Sequence, residues 1–243
     1  MKRYGHYCPI AHALDLVGER WALLVVRELL DGPKRYTDLL DGMPGIGTNI
    51  LASRLRDLEA GGVVRRTKLP PPAASAVYEL TEYGRELDEA LHALARWGAR
   101  TLGPPVPETE LRAGWLVHAA EATFDPAAAV GLTESYEIRS GDEVVSLRVA
   151  DGRLDAAAGS RPGADAVVEA SPETVFRLVD GELSADEALA SGAVRLEGDR
   201  TALARFASLF SLDPRGHEAQ DRGGTAAATG RAPATAGAAA RTT

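Results

Sequence analysis

Residues 34–83, KRYTDLLDGMPGIGTNILASRLRDLEAGGVVRRTKLPPPAASAVYELTEY, carry the pattern that decides the fold. Tyr36 to Leu40 follows the basic pair Lys34-Arg35 and predicts one short helix. Gly42, Pro44, Gly45 and Gly47 then interrupt regular structure. The hydroxyl of Thr48 is suited to cap a second helix. Beyond it Ile50, Leu51, Leu55 and Leu58 form an apolar stripe of helical period, with Asn49, Ser53, Arg54 and Arg56 assigned to the opposite face. Gly61-Gly62 ends that helix.

Val63 to Lys68 then reads as a basic strand, VVRRTK, and Val77 to Leu80 as its returning partner. Pro70, Pro71 and Pro72 suit the hairpin tip, because proline cannot donate to a strand ladder. Thr81 caps a further helix over TEYGRELDEALHALARWGART. Helix, turn, helix and basic hairpin in this order predict a winged helix-turn-helix. The second helix of such a motif enters the major groove of double-stranded DNA, where small polar and arginine side chains reach base edges. Arginine and lysine on the hairpin meet phosphates, which position the protein without reading sequence. The expected DNA contacts are Lys34, Arg35, Tyr36, Thr48, Asn49, Ser53, Arg54, Arg56, Arg65, Arg66 and Lys68. Arg54 and Arg56 are expected to contact base edges or the adjacent phosphates.

Outward from this segment, Gly103-Pro104-Pro105-Val106-Pro107 cannot continue a helix. The sequence therefore divides into a winged helix-turn-helix domain over 1–103, a Pro-rich linker over 104–107 and a second domain over 108–214. In the second domain Glu110 to Thr123 predicts a helix, with Leu111, Trp115, His118 and Ala119 on one face. Strands are expected at Ser135–Ile138, Val144–Val149, Arg153–Ala157, Ala166–Ala170 and Val194–Glu197, with Asp151-Gly152 as a hairpin turn. Ser171, Ser184 and Asp199 each open a helix as a cap, and Pro172 occupies a first helical position. The fold class is α+β. Residues 215–243 are rich in Ala, Gly and Thr and hold almost no large apolar side chain, which predicts a disordered tail.

Two resemblances follow from these residues. Cys8-Pro9, GERWALLVVRELLDGPKRYTDLL, the Pro44-Gly45-Ile46 turn, LASRLRDLEAGGVVRR and Tyr78-Glu79-Leu80-Thr81 with Gly84 resemble the HxlR-type winged-helix regulators, relatives of the MarR group. That resemblance implies a transcriptional regulator and a homodimer on a palindromic operator. It implies a dimer interface from the terminal helices near Pro9–Val17 and Thr81–Thr101. Val144–Val149 with DGRLDAAAG, DAVVEASPETVFRLVDGELSADEALASGAVRLEGD and ALARFASLF resemble the sterol carrier protein type 2 fold. That resemblance implies a five-stranded sheet covered by helices around an apolar tunnel for a hydrophobic or aromatic ligand. Trp115, Phe176, Leu178, Phe206 and Phe210 are candidates to line it, because large apolar side chains line such pockets. Together they suggest a repressor whose operator affinity responds to a bound ligand.

Composition is consistent with a DNA-binding half and an acidic half. The net charge of −8 over 243 residues separates into +1 for residues 1–100 and −9 for 101–243, while 34–68 alone carries +3. A hydrophobic share of 45% is ordinary for a globular protein. No apolar run approaches the ~20 residues of a membrane span, and the N-terminus shows no signal peptide pattern. A cytoplasmic, nucleoid-associated protein is expected. The single cysteine excludes an internal disulfide.

Cys8 precedes a helix start, a position where thiols gain reactivity, so redox control is a second option. His6, Cys8 and His12 form a weak metal pattern without a fourth ligand, and no metal is assigned. No phosphate loop, dinucleotide fingerprint or acid–base–nucleophile set is present, so neither a cofactor nor an enzyme is expected. The other non-enzymatic alternative is a carrier of hydrophobic ligands whose winged helix contacts protein.

Overall fold

Period-3.6 apolar spacing places four helices ahead of the hairpin in this computed structural model, which describes residues 4–72, 74–106 and 109–211. They are α1 (Pro9–Val17), α2 (Ala22–Leu30), α3 (Tyr36–Gly42) and α4 (Thr48–Ala60). An antiparallel hairpin follows, β1 (Val64–Lys68) with β2 (Ala76–Leu80), paired from Val64↔Leu80 to Lys68↔Ala76. Val25, Val26 and Leu29 of α2, Leu39 of α3, Leu51, Leu55 and Leu58 of α4, and Val64 and Leu80 of the hairpin form one buried cluster. This is the expected winged helix-turn-helix.

The helix expected from Thr81 onward is divided. Thr81 caps α5 (Glu82–Arg85) by accepting from the Gly84 N–H, and α6 (Leu87–Ala99) follows after Glu86. Gly84 is required there, since a Cβ at this position would lie 2.1 Å from the Val63 carbonyl oxygen. A second correction concerns Thr48. It is the first helical residue and not the cap. Ile50 and Leu51 donate to the Gly47 carbonyl at 2.9 and 3.0 Å, so the backbone ladder starts at Gly47 and the Thr48 hydroxyl is left outside it.

In the second half, α7 (Ala113–Thr123) leads into β3 (Thr133–Ser140), β4 (Glu143–Ala150), β5 (Arg153–Ala158) and β6 (Ala166–Ala170). Then come α8 (Pro172–Val179), α9 (Ala185–Ala190), β7 (Val194–Gly198) and α10 (Arg200–Ser208). The sheet order is β5-β4-β3-β6-β7, with only β3 and β6 parallel. The side chains of Ser171, Ser184 and Asp199 accept from Thr174, Glu187 and Thr201 backbone N–H groups, as capping residues should. Helix α7 starts three residues later than Glu110. Arg112 is extended, and the Glu143 carboxylate accepts the Ala113 N–H at 2.7 Å, which fixes the start from across the domain.

No helix among the described residues is long and apolar enough to cross a membrane. The expected tail 215–243, the last residues of the expected second domain and Pro107 of the expected linker lie outside the described residues.

Candidate nucleic-acid interface and the seam behind it

Helix α4 sorts its side chains by angle. At 3.6 residues per turn, Leu51, Leu55 and Leu58 fall together, and they are buried. Asn49, Ser53 and Arg56 point the other way. Thr48, Asn49 and Arg56 are exposed, and Ser53 is half-buried. Arg54 departs from the expected outward set. It lies beside the leucine stripe, its side chain is only 15% exposed, and its guanidinium sits 3.2 Å from Asp57 and 3.6 Å from Glu19. A guanidinium flanked by two carboxylates holds α4 against the α1–α2 loop, so Arg56 is the arginine on the outer face.

Lys34 also turns inward. Its Nζ donates to Glu28 Oε2 at 2.9 Å and to Asp31 Oδ2 at 3.0 Å, while its backbone pairs with Tyr78 beside the wing. Arg35 is exposed at the start of α3, where its N–H donates to Asp38. Tyr36 donates its hydroxyl to the Thr48 carbonyl at 2.6 Å, tying the start of α3 to the start of α4. On the wing, Arg65 pairs with Glu79 at 2.7 Å. Arg66 and Lys68 are exposed and share one face of β1, as alternate strand residues do.

Behind this surface lies a seam that sequence reading did not identify. Glu28 sits on the buried side of α2 with its side chain 7% exposed. It accepts from Arg27 at 2.8 Å, Lys34 at 2.9 Å and the indole N–H of Trp115 on α7 at 3.0 Å. Burial pushes the Glu28 carboxyl up, but Lys34, Trp115 and Arg27 more than offset this and hold it below the usual range. The Arg27 guanidinium lies 4.7 Å from the Trp115 ring centroid, a cation–π arrangement. A Cβ at Gly42 would come 2.7 Å from Glu28 Oε2, so a larger residue there would displace the end of the Glu28 side chain. The signal in the sequence was Glu28 itself, an acid inside the apolar run WALLVVRELL.

His118, one turn along α7, lies 3.2 Å from Asp31 and 3.3 Å from Glu121. Burial opposes its protonation, but these two carboxylates dominate and raise its pKa to about 9. Trp115 is therefore a seam residue and not a tunnel residue. With Trp21, Leu24, Arg27, Met43, Pro44 and Glu110 it lines a cleft of about 270 Å³ between the halves.

The other expected tunnel residues have different settings. Leu178, Phe206 and Phe210 are buried in the second core, with Phe206 5.6 Å from the Tyr136 ring and 5.2 Å from Phe210. Phe176 is half-buried. Cys8 is exposed immediately before α1. Among the described residues His6, Cys8 and His12 do not form a group able to hold a metal.

Residues 16–105 match the HxlR-like helix-turn-helix family. An uncharacterized HTH-type transcriptional regulator of Synechocystis is 40% identical over 110 residues, which span 45% of this chain and 82% of that relative. The chain belongs to the HxlR-like helix-turn-helix family. This HxlR-type transcriptional regulator also resembles YodB of Bacillus subtilis, an HTH-type transcriptional regulator, at 35% identity over 98 residues, 40% of this chain and 88% of YodB. The solved reduced form of YodB covers 42% of this chain and 100% of its own, at 33% identity and a TM-score of 0.36. Residues 119–211 match the SCP-2 sterol transfer family, so the HxlR-type half is joined to a sterol-carrier-like sheet domain.

Proposed function

We propose that this HxlR-type regulator is a homodimeric repressor on a palindromic operator, its affinity set by a small apolar or aromatic molecule acting through the second domain. The carrying observation is an unbroken line of contacts from that domain to α4. Trp115 holds Glu28, Glu28 and Asp31 hold Lys34, Lys34 pairs with the wing at Tyr78, and Tyr36, two residues on, holds the Thr48 carbonyl. A ligand that shifts α7 shifts the frame on which α4 and the wing are mounted. It acts only by binding the two arrangements unequally.

In this reading Thr48, Asn49, Ser53 and Arg56 face the major groove, with Arg35, Arg65, Arg66 and Lys68 near phosphates. Lys34, Tyr36 and Arg54 act by positioning these groups. Dimerisation is supported by apolar side chains left exposed on α1 (Ile10, Leu14) and α6 (Leu94, Trp97), the two helices the family resemblance assigns to the interface. A two-fold dimer reads two half-sites about one helical turn apart. Such a protein works on the chromosome, in the cytoplasm.

The test is titration of a labelled operator with the full chain, with and without a panel of fatty acids, sterols and quinone-like aromatics. A ligand-dependent change in affinity supports the reading. The same affinity throughout, with every ligand bound elsewhere or not at all, rejects its regulatory part.

A second reading rests on Cys8, whose thiol is exposed at the start of the exposed apolar helix α1. Oxidation there would alter the packing of two copies. Loss of operator binding by the wild type after mild oxidant, with binding retained in Cys8→Ser, supports it, and an unchanged wild type rejects it.

A further inference from the structure

His92 of α6 and His118 and Glu121 of α7 converge where the two halves meet, and their ligand atoms all lie within 4.8 Å of one another. We infer that these three side chains form a binding site for one divalent transition-metal ion of the zinc class, clasping α6 to α7. The site does not depend on the ligand-response reading above.

The geometry is the first argument. Zinc takes imidazole nitrogen and carboxylate oxygen at ~2.0–2.2 Å in a tetrahedron, which sets neighbouring donors about 3.3–3.5 Å apart. His118 Nδ1 lies 3.3 Å from Glu121 Oε2, and His92 Nε2 lies 3.5 Å from the same oxygen. Two of the three edges thus already have the length a bound ion would impose.

The second argument is the state of the His92 imidazole. The Nε2 atom of His92 is closed off from solvent and makes no hydrogen bond. His92 Nε2 instead faces two carboxylates, Glu121 and, at 3.6 Å, Asp88. Buried polar atoms without partners are uncommon and ask for an explanation. A dication between the histidines and Glu121 gives His92 Nε2 a partner and offsets the excess of carboxylates there.

The third argument lies outside the ligand set. With Nδ1 on the metal, His118 keeps Nε2 protonated toward Asp31 Oδ1, 3.2 Å away. Carboxylate–histidine–metal pairing of this kind orients metal-binding histidines and fixes their tautomer. The proton displaced from Nδ1 leaves to solvent, and Glu121, the most exposed of the three, leaves room for water in the fourth position.

The test is a Co²⁺ titration of the chelator-stripped full chain, read by visible d–d absorption, followed by displacement with Zn²⁺. One Co²⁺ per chain with a tetrahedral spectrum is expected, bleached by Zn²⁺. His92→Gln and Glu121→Gln each weaken binding at least about tenfold, and Asp31→Asn weakens it roughly 10- to 100-fold. Cys8→Ser and His12→Gln leave it unchanged. Circular dichroism of the metal-free variants checks folding, and one folded ligand variant is enough for the comparison. The inference is overturned by an absent spectrum in the wild type, by equal binding in a folded ligand variant, or by loss of the signal in Cys8→Ser or His12→Gln.

Discussion

The indole N–H of Trp115 donates to Glu28 Oε1 at 3.0 Å across 87 positions of sequence. It joins a sterol-carrier-like domain to the second helix of the DNA-binding half, at a carboxylate that also anchors Lys34. Trp115→Phe keeps most of the aromatic surface over Arg27 and removes only the donor. A buried acceptor that loses one partner costs about 1–3 kcal/mol. The variant is predicted to melt at lower temperature than wild type and to expose the cleft to quencher. An unchanged melting curve would show that the bond contributes nothing.

Glu28 also sets a pH dependence. Despite its burial, Lys34, Trp115 and Arg27 hold its carboxyl below the ordinary value of 4.5. A carboxyl lowered on folding contributes stability that is complete above about that ordinary value and is lost as pH falls through the lowered one. The melting-temperature advantage of wild type over Glu28→Gln is therefore predicted to be full at neutral pH and to shrink on acidification. An advantage that grows or stays constant toward pH ~3 contradicts this assignment.

The two arginines of α4 separate by role. Arg56, on the outer face, is predicted to contribute roughly 1–3 kcal/mol of base discrimination, so Arg56→Ala weakens and loosens operator choice without changing stability. Arg54→Ala is predicted to cost stability, about 0.5–1 kcal/mol, because it releases Glu19 and Asp57. Melting curves and binding to matched and mismatched duplexes distinguish them, and exchanged phenotypes would refute the assignment.

Arg66 and Lys68 are predicted to act on phosphate alone. Replacing either by Ala should weaken all duplexes alike and reduce the salt-dependence slope by about one. A change in sequence preference would instead put the wing on base edges.

Much of this was readable in the sequence, for identifiable reasons. Strong capping chemistry marked helix starts within the second domain, as at Ser171, Ser184 and Asp199. It failed at Thr48, where a glycine carbonyl starts the ladder and no side chain is needed. Apolar period identified Leu51, Leu55 and Leu58, but an arginine beside the stripe looks like one opposite it until the angles are counted. Trp115 was a plausible pocket residue because its size says nothing about direction. What turned it was Glu28, and the pairing of two residues so far apart leaves no local trace. The same holds for His92 and His118, which meet only because α6 and α7 pack together.

The most direct test of the central claim is genome-wide footprinting of the purified full chain. Short protected sites with inverted half-sites about one helical turn apart, about 34 Å, are predicted, and Arg56→Ala should abolish their enrichment. Uniform weak binding to all duplexes, or sites without inverted symmetry, would contradict a dimer that reads DNA through α4.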